Sequence, residues 1–339
     1  MSMKARIAMV LGDPAGIGPE LIAKLLSEPA ARKQADVLLF ADPEETEEGM
    51  RIAGARFPYR KIDSANDFRP DVDEAQLVPC LGGAGRPFAR AEATANGGRY
   101  SLDTLNQAIA TTTGKSTDAV VFGPLNKTSL HMAGMKHSDE LHWFAERLGY
   151  DGPICEFNVM DKLWTSRVTS HVALKEVPGL ITQKGVIDAI ELIDRALRAS
   201  GVEKPRIAVC GLNPHLGDDG SFGREEIDVI GPAVEQARKL GFPAEGPFSA
   251  DTIFIKARDG LFDAVVTMFH DQGQIAIKLM GFQRGVTVQG GLPIPITTPA
   301  HGTAFDIFGT GRAHPGAMRQ AFDMACRMGV NRRMAKASG

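Results

Sequence analysis

Short apolar runs alternate with longer stretches of helical period along most of the chain, and that alternation constrains the fold more than any other feature. ARIAMVL (5–11), DVLLF (36–40), DAVVF (118–122), RVTSH (167–171), RIAVC (206–210) and DAVVTMF (263–269) read as buried strands. PELIAKLLS (19–27), residues 102–111, VIDAIELIDRALRA (186–199) and REEIDVIGPAVEQARKL (224–240) read as helices. Strands apolar on both faces need helices above and below, so the pattern predicts a mainly parallel sheet between helical layers. Residues 42–95 are interrupted by Pro, Gly, Arg and Glu and are expected to wrap the outside. At 339 residues the chain is long enough for one large domain or two ordinary ones sharing a cleft. Residues 124–140 and the Gly/Pro-rich stretch 281–299 read as hinges between two lobes.

The 38 basic and 41 acidic residues leave a formal charge of -3 and no overall basic field, so nucleic acid is not the expected partner. No apolar run reaches the roughly 18–20 residues a membrane span needs, and the opening MSMKARIAMVLGDPAG does not read as a signal peptide. A cytoplasmic protein without membrane partners is expected. Cys80, Cys155, Cys210 and Cys326 are scattered singly, three of them in apolar surroundings, and are expected to be reduced thiols rather than a metal knuckle.

In an open parallel sheet, ligands collect beyond the carboxyl ends of the strands. His171 closes RVTSH, His215 follows RIAVCGLNP, and His270 closes DAVVTMFH. Any one of these alone is more often a structural histidine bonded to a loop carbonyl. Three at equivalent strand ends point instead to imidazoles converging on one divalent ion, with coordination positions left for substrate. Asp251 and Asp271 either add carboxylates or cap the helices that follow. GDPAGIGPE (12–20) is a glycine-rich turn into a helix, but the chain carries no GxGxxG or P-loop fingerprint, so the turn alone reads as a plain tight turn. QGGLPIPITTPAHGTAFDI (289–307) reads either as a loop whose amides, His301 and Asp306 grip an adenosine or diphosphate, or as a Pro-stiffened surface loop with Asp306 capping a helix. Lys278 lies among apolar neighbours, where it is either a proton donor or a snorkelling surface lysine. Lys127 follows another strand end and either meets an anionic substrate or begins a solvated helix. His137 and His142 do not form HExxH and are not read as ligands.

Taken together, GDPAGIGPE, LNPHLGDDGSFGREE (212–226), GPFSADTIF (246–254), MFHDQGQIAIK (268–278) and HGTAFDIFGTG (301–311) resemble the 4-hydroxythreonine-4-phosphate dehydrogenase family. That family includes D-threonate and D-erythronate 4-phosphate dehydrogenases and a terephthalate dihydrodiol dehydrogenase. The resemblance implies two α/β/α domains with an intervening cleft, similar to isocitrate and isopropylmalate dehydrogenases. It divides the chain into residues 1–128 plus 290–339, with cofactor-binding segments, and 129–289, with the metal site and dimer interface. It implies NAD or NADP, one divalent ion (Zn, Mg, Co or Ni), and a homodimer with shared active sites. His171, His215 and His270 match the family's metal ligands. Lys278 matches its substrate-contacting lysine and is taken with Asp271 as catalytic. Gly290, Gly291, Leu292, His301, Gly302, Thr303 and Asp306 are the expected cofactor contacts.

The departures fall at substrate positions. Aligned without a gap, the family's Gly-His-Thr-Glu motif falls on Asp139, Glu140, Leu141 and His142, whereas a small shift brings His137-Ser138 into the His-Thr role; its asparagine falls on Thr287 and its arginine on Ile296. Isoleucine removes the arginine's five donors and fixed charge, and Glu140 repels a phosphate dianion. The expected activity is therefore metal-dependent oxidation and decarboxylation of an unphosphorylated β-hydroxy acid. The alternatives are an authentic 4-hydroxythreonine-4-phosphate or D-threonate 4-phosphate dehydrogenase, a metal-dependent lyase or hydrolase, and a ligand sensor.

Overall fold

The computed structural model describes residues 3–80, 88–281 and 284–337. In chain order the elements begin β1 (Ala5–Val10), α1 (Gly18–Ser27), α2 (Pro29–Gln34), β2 (Ala35–Phe40), α3 (Pro43–Ala53), β3 (Tyr59–Lys61), β4 (Ala75–Val78), α4 (Ala95–Thr113), β5 (Ala119–Phe122), α5 (Lys127–Met132) and α6 (Glu140–Leu148). They continue with β6 (Cys155–Met160), β7 (Leu163–Arg167), α7 (Val177–Leu180), α8 (Gln183–Ala199), β8 (Ile207–Cys210), α9 (Gly231–Lys239), β9 (Ala244–Phe248), α10 (Ala250–Arg258), β10 (Ala264–Thr267), α11 (His270–Gly281) and β11 (Val286–Gly290). β12 (Ile296–Pro299) and α12 (Gly316–Ala337) close the chain. Two compact units result: Met1–Asp151 with Leu292–Gly339, and Gly152–Gly291.

The first unit's strands run in the order β3-β4-β2-β1-β5-β12, with every pair parallel. Side chains on a strand alternate between faces, so β1 serves two cores at once. Ile7 and Met9 pack with Leu21, Ile22 and Leu25 of α1 and Met318 and Phe322 of α12. Ala8 and Val10 pack on the other face with Tyr100, Leu105 and Ile109 of α4 and with Trp143 and Phe144 of α6. The second unit's strands run β11-β6-β7-β10-β8-β9. Here β11, β6 and β7 pair antiparallel, and β7, β10, β8 and β9 pair parallel. Ala208, Cys210 and Val265 pack with Ile253 and Phe254 of α10.

Several expectations change. Residues 42–95 do not simply wrap the outside, because they supply α3 and the edge strands β3 and β4. Polarity hid β4: buried Gln76 sits in mid-strand, where its amide accepts from the Arg69 N–H at 2.9 Å and donates to the Arg69 carbonyl at 2.5 Å. Residues 81–87 of that region, and 282–283 of the expected hinge at 281–299, lie outside the described residues. The first unit runs on to residue 151 rather than 128, since Trp143 and Phe144 lie in its core. The strand read at 167–171 ends at Arg167, leaving His171 in the loop beyond it. α4 begins at Ala95 rather than 102, through two glycines that propensity disfavours. Gly98 is needed there because an added Cβ would lie 1.9 Å from the Ser129 carbonyl oxygen of α5.

The four cysteines are free thiols, with Cys80, Cys210 and Cys326 buried. Burial pushes the thiols of Cys80 and Cys210 up to about 12, which keeps them protonated and unreactive near neutral pH. No helix among the described residues is long and apolar enough to cross a membrane.

Phe144 has no exposed surface and sits beside the rings of Phe122 and Trp143. Phe144→Ala is expected to cost about 3–5 kcal/mol through cavity formation. Urea unfolding of the two proteins would show this as a lower midpoint with unchanged slope.

Candidate functional site

Strand ends position two of the three histidines beside each other. After β7, the Val168 N–H donates to the Thr267 carbonyl and the Thr169 N–H to the Met268 carbonyl, so the chain tracks β10 past the strand end. His171 then turns with a left-handed φ of 46°. His270 opens α11 just beyond β10, and the two imidazole centroids stand 5.6 Å apart. Two imidazoles sharing a tetrahedral ion through Zn–N bonds of ~2.0–2.1 Å would have centroids roughly 5–6 Å apart, so this pair fits a shared divalent ion. Nδ1 of His270 lies 2.6 Å from Oδ1 of Asp271. With its Nδ1–H donated to that carboxylate, the ring presents Nε2 as the free lone pair. The Asp271 carboxylate is thus engaged with the His270 ring.

His215 stands outside this pair. Among the described residues, no group of three or more His, Cys, Asp or Glu side chains is arranged to hold a metal ion. His215 lies beyond β8 in a loop where His215, Leu216, Asp218 and Asp219 all have positive φ, at 50°, 62°, 46° and 52°. Such left-handed residues cost about 1–2 kcal/mol each, so a loop of this shape needs a brace. Glu226 supplies one. Its buried carboxylate accepts from the Leu212 and Asn213 amides, both at 2.7 Å, and from Asn213 Nδ2 at 2.9 Å. Gln272 ties the base of this loop to the His270 turn: Nε2 donates to the Gly211 carbonyl at 2.9 Å, and Oε1 accepts the Met268 amide at 2.8 Å.

Lys278 is exposed on α11, because the helical period turns Ile277 inward and Lys278 outward. Its ammonium has no ion-pair partner among the described residues. Asp251 does not cap α10; the N-cap is Ser249, whose hydroxyl donates to Asp251 at 2.8 Å. Thr287 is buried and its hydroxyl donates to Glu156 at 3.4 Å.

In the first unit, the HGTAFD segment meets the GDPAGIGPE turn, which sequence alone marked as an ordinary turn. The Ile17 amide donates to the Thr303 carbonyl at 3.1 Å, and Gly16 packs directly on the Thr303 side chain. Gly12 makes the turn possible, with φ of 83° and neighbouring carbonyls where a Cβ would stand. Arg90, a residue the sequence reading missed, clamps this arrangement. It donates to the Pro14 carbonyl at 2.7 Å, forms a two-pronged pair with Glu45, and lies over the Phe308 ring. No periodic pattern marks Arg90, and only its neighbours in space reveal it.

Burial lowers the His301 pKa below the usual imidazole range, against the raising effect of its bond to the Gly302 carbonyl, which favours the neutral ring. Asp306 does not cap its 3-10 turn, which Ala304 begins; its carboxylate is exposed. Gly302 faces open space. Gly290 and Gly291 are explained by packing instead: an added Cβ would lie 2.1 Å from the Phe157 ring or 2.2 Å from the Pro153 oxygen. Leu292 packs against the first unit's core.

The substrate positions are also occupied by packing. Ile296 is fully buried in the core with Phe122 and Phe144, and Leu141 is buried. Asp139 caps α6, accepting the His142 amide at 3.0 Å, and its Oδ1 lies 2.6 Å from the His142 ring. Burial raises the Asp139 pKa, but these two bonds outweigh it and hold the carboxyl below its usual range. His137 pairs with Glu146 at 2.7 Å.

Residues 33–325 match the family model described as pyridoxal phosphate biosynthetic protein PdxA. The chain belongs to the PdxA family. A Pseudomonas aeruginosa protein, provisionally named 4-hydroxythreonine-4-phosphate dehydrogenase 2, is 67% identical over 96% of this chain and 97% of its own. The structure of a 4-hydroxythreonine-4-phosphate dehydrogenase from Klebsiella pneumoniae is 33% identical, with a TM-score of 0.82 over 96% of this chain and 98% of that one. A terephthalate 1,2-cis-dihydrodiol dehydrogenase from Burkholderia xenovorans is 26% identical, with a TM-score of 0.67 over 96% and 98%. A β-decarboxylating dehydrogenase from Thermococcus kodakarensis shares the fold, with a TM-score of 0.50 at 16% identity over 99% and 87%. This PdxA-family chain is an NAD(P)-dependent dehydrogenase acting on CH–OH groups, of a family that uses a divalent metal ion. The lyase, hydrolase and sensor alternatives give way to that assignment.

Glu226→Ala leaves the Leu212 and Asn213 amides without their acceptor. The expected loss is about 1–3 kcal/mol of stability by urea unfolding. Hydrogen exchange should quicken at those two amides.

Proposed function

We propose that this dehydrogenase oxidises a phosphorylated β-hydroxy acid of the 4-hydroxythreonine 4-phosphate or D-threonate 4-phosphate class, with NAD as the preferred acceptor. The observation that carries the reading is the His171–His270 pair, with His270 oriented by Asp271, in a chain 67% identical to a relative bearing the hydroxythreonine-phosphate name. The unphosphorylated expectation rested on the arginine lost at Ile296 and on Glu140. Ile296 and Leu141 are packed in the interior, so their identity is a weak guide to the ligand. Exposed Lys127, without an ion-pair partner among the described residues, offers a phosphate a positive charge.

Hydride passes from the carbinol carbon to the nicotinamide, while the hydroxyl proton leaves to a base. The resulting β-keto acid loses CO2, and the bonding pair stays on the α-carbon, which then takes up a proton. When bound, the divalent ion supplies Lewis-acid stabilisation of the developing oxygen charge. His171 and His270 would hold it, with His215 as the third ligand. Asp271 keeps His270 in the ligating tautomer, and Lys278 moves the proton at the α-carbon. Asp306 accepts from the adenosine ribose hydroxyls and repels a 2′-phosphate, which favours NAD over NADP.

A homodimer completes the site. α11 presents Asp271, Ile275, Lys278 and Leu279 along one outward face, with Ile275 60% and Leu279 83% exposed. Large apolar side chains left in water beside a catalytic lysine suit burial against a second copy. Contact between two copies then brings together ligands that one chain leaves apart.

Absorbance at 340 nm with metal-loaded enzyme tests the substrate. Both phosphorylated acids, or one of them, should reduce NAD, and unphosphorylated hydroxy acids and cyclic carboxylate diols should not; turnover confined to the latter would overturn the reading. Leu279→Asp should convert a dimer to a folded monomer in analytical ultracentrifugation, with turnover lost. A monomeric wild-type protein would reject the shared site.

A further inference from the structure

We propose that the amino-terminal edge of the first unit's sheet carries a second anion site, built for a phosphate dianion and separate from the dehydrogenase chemistry. The strands of this unit are all parallel, so their carboxyl ends, with the GDPAG turn, lie at one edge and their amino ends at the other. At the amino edge a cleft of about 730 Å³ is lined by Lys4, Arg6, Lys33 and Arg333, with Asp36 and Asp71. Lys4 and Arg6 flank the start of β1, Asp36 lies at the start of β2, Lys33 on α2 and Arg333 on α12.

Positive charge outnumbers negative there. Asp118 serves three guanidinium groups: its Oδ1 pairs with Arg6 Nη2 at 3.3 Å and its Oδ2 with Arg333 Nη1 at 2.9 Å, while its main-chain oxygen accepts from Arg332 Nη1 at 3.1 Å. Lys4 pairs with Asp36 at 3.3 Å. Lys33 is exposed and has no partner among the described residues. Four cations (Lys4, Arg6, Lys33, Arg333) therefore line the cleft against two carboxylates (Asp36, Asp71), a surplus of two charges. Buried Nε atoms of Arg6 and Arg332 have no acceptor. The same field reaches Lys336, which Arg332 and then burial hold below the usual lysine range.

A surplus of two charges and an unpaired ammonium at Lys33 match the charge of a phosphate dianion. Carboxylates within the same cleft disfavour an extended polyanion such as nucleic acid. Several hundred cubic ångströms leave room for a small organic group on the phosphate. Inorganic phosphate and a phosphomonoester share this chemistry.

The test is a titration of the full chain with inorganic phosphate and, in parallel, glucose 6-phosphate, read by hydrogen exchange. Protection is expected at the amides of residues 4–6, 33–36 and 332–333. Lys33→Glu reverses a charge that pairs with nothing, so folding should be intact, kcat/KM unchanged and anion affinity about tenfold weaker. Arg333→Gln should weaken binding in the same direction. Equal affinity for the two probes would mean that the site reads the dianion alone; tighter binding of the ester would place its organic part in the cleft. Absence of protection at this edge, or affinity unchanged in Lys33→Glu, would overturn the proposal whatever the substrate of the dehydrogenase.

Discussion

Burial of β1 on both faces is the constraint on which the first unit depends. Ile7 and Met9 face one helical layer while Ala8 and Val10 face the other, so the strand has no solvated side to accommodate polar groups. Polar chemistry is thereby confined to strand ends. Gly12, Asp13 and the GDPAG turn follow β1 immediately, and the His301–Asp306 segment follows β12. Asp13 shows the cost of this arrangement: its carboxylate is buried, one oxygen accepts the Ala15 amide at 2.9 Å, and the other has no partner. Burial raises its pKa above the ordinary carboxylate range, against the lowering effect of its hydrogen bonds.

The second unit solves a related problem with braces. His215 needs a left-handed backbone that an L-residue resists, and the buried Glu226 carboxylate holds the base of that loop through main-chain amides. The His270 ring is held by a neighbouring carboxylate, with Nδ1 2.6 Å from Asp271 Oδ1. Gln272 spans the two loops by accepting one backbone amide and donating to another carbonyl. These side chains govern where the imidazoles stand, and a metal held by those rings would be tuned through them.

Strand and helix alternation was legible because apolar side chains dominate it: four of the six expected strands lie within a residue of their observed bounds, and DAVVTMF overshoots the end of β10 by two residues. RVTSH departs most, since β7 reaches back to Leu163 and ends at Arg167. What stayed hidden was polar or short. β4 carries a buried glutamine, β3 spans three residues with charged exposed side chains, and the start of α4 contains two glycines. The three histidines were visible from their places at strand ends. The roles of Arg90 and Glu226 were not: Arg90 has no periodic or motif signal, and Glu226 lies in the LNPHLGDDGSFGREE motif, but its bonds to main-chain amides are visible only in space.

The sequence by itself determined the layered α/β architecture, the candidate imidazole ligands and the resemblance that the PdxA match bears out. Local pattern suffices for these, since hydrophobic period and residue type are properties of neighbouring positions. Tertiary structure decided that His171 and His270 approach each other while His215 does not join them within one chain, that Ile296 is core, and that Lys278 faces outward. Those outcomes depend on helix rotation, on where a strand actually ends and on which distant groups compete for the same interior space. No spacing along the chain encodes these distances, because they are set by packing between segments far apart in sequence.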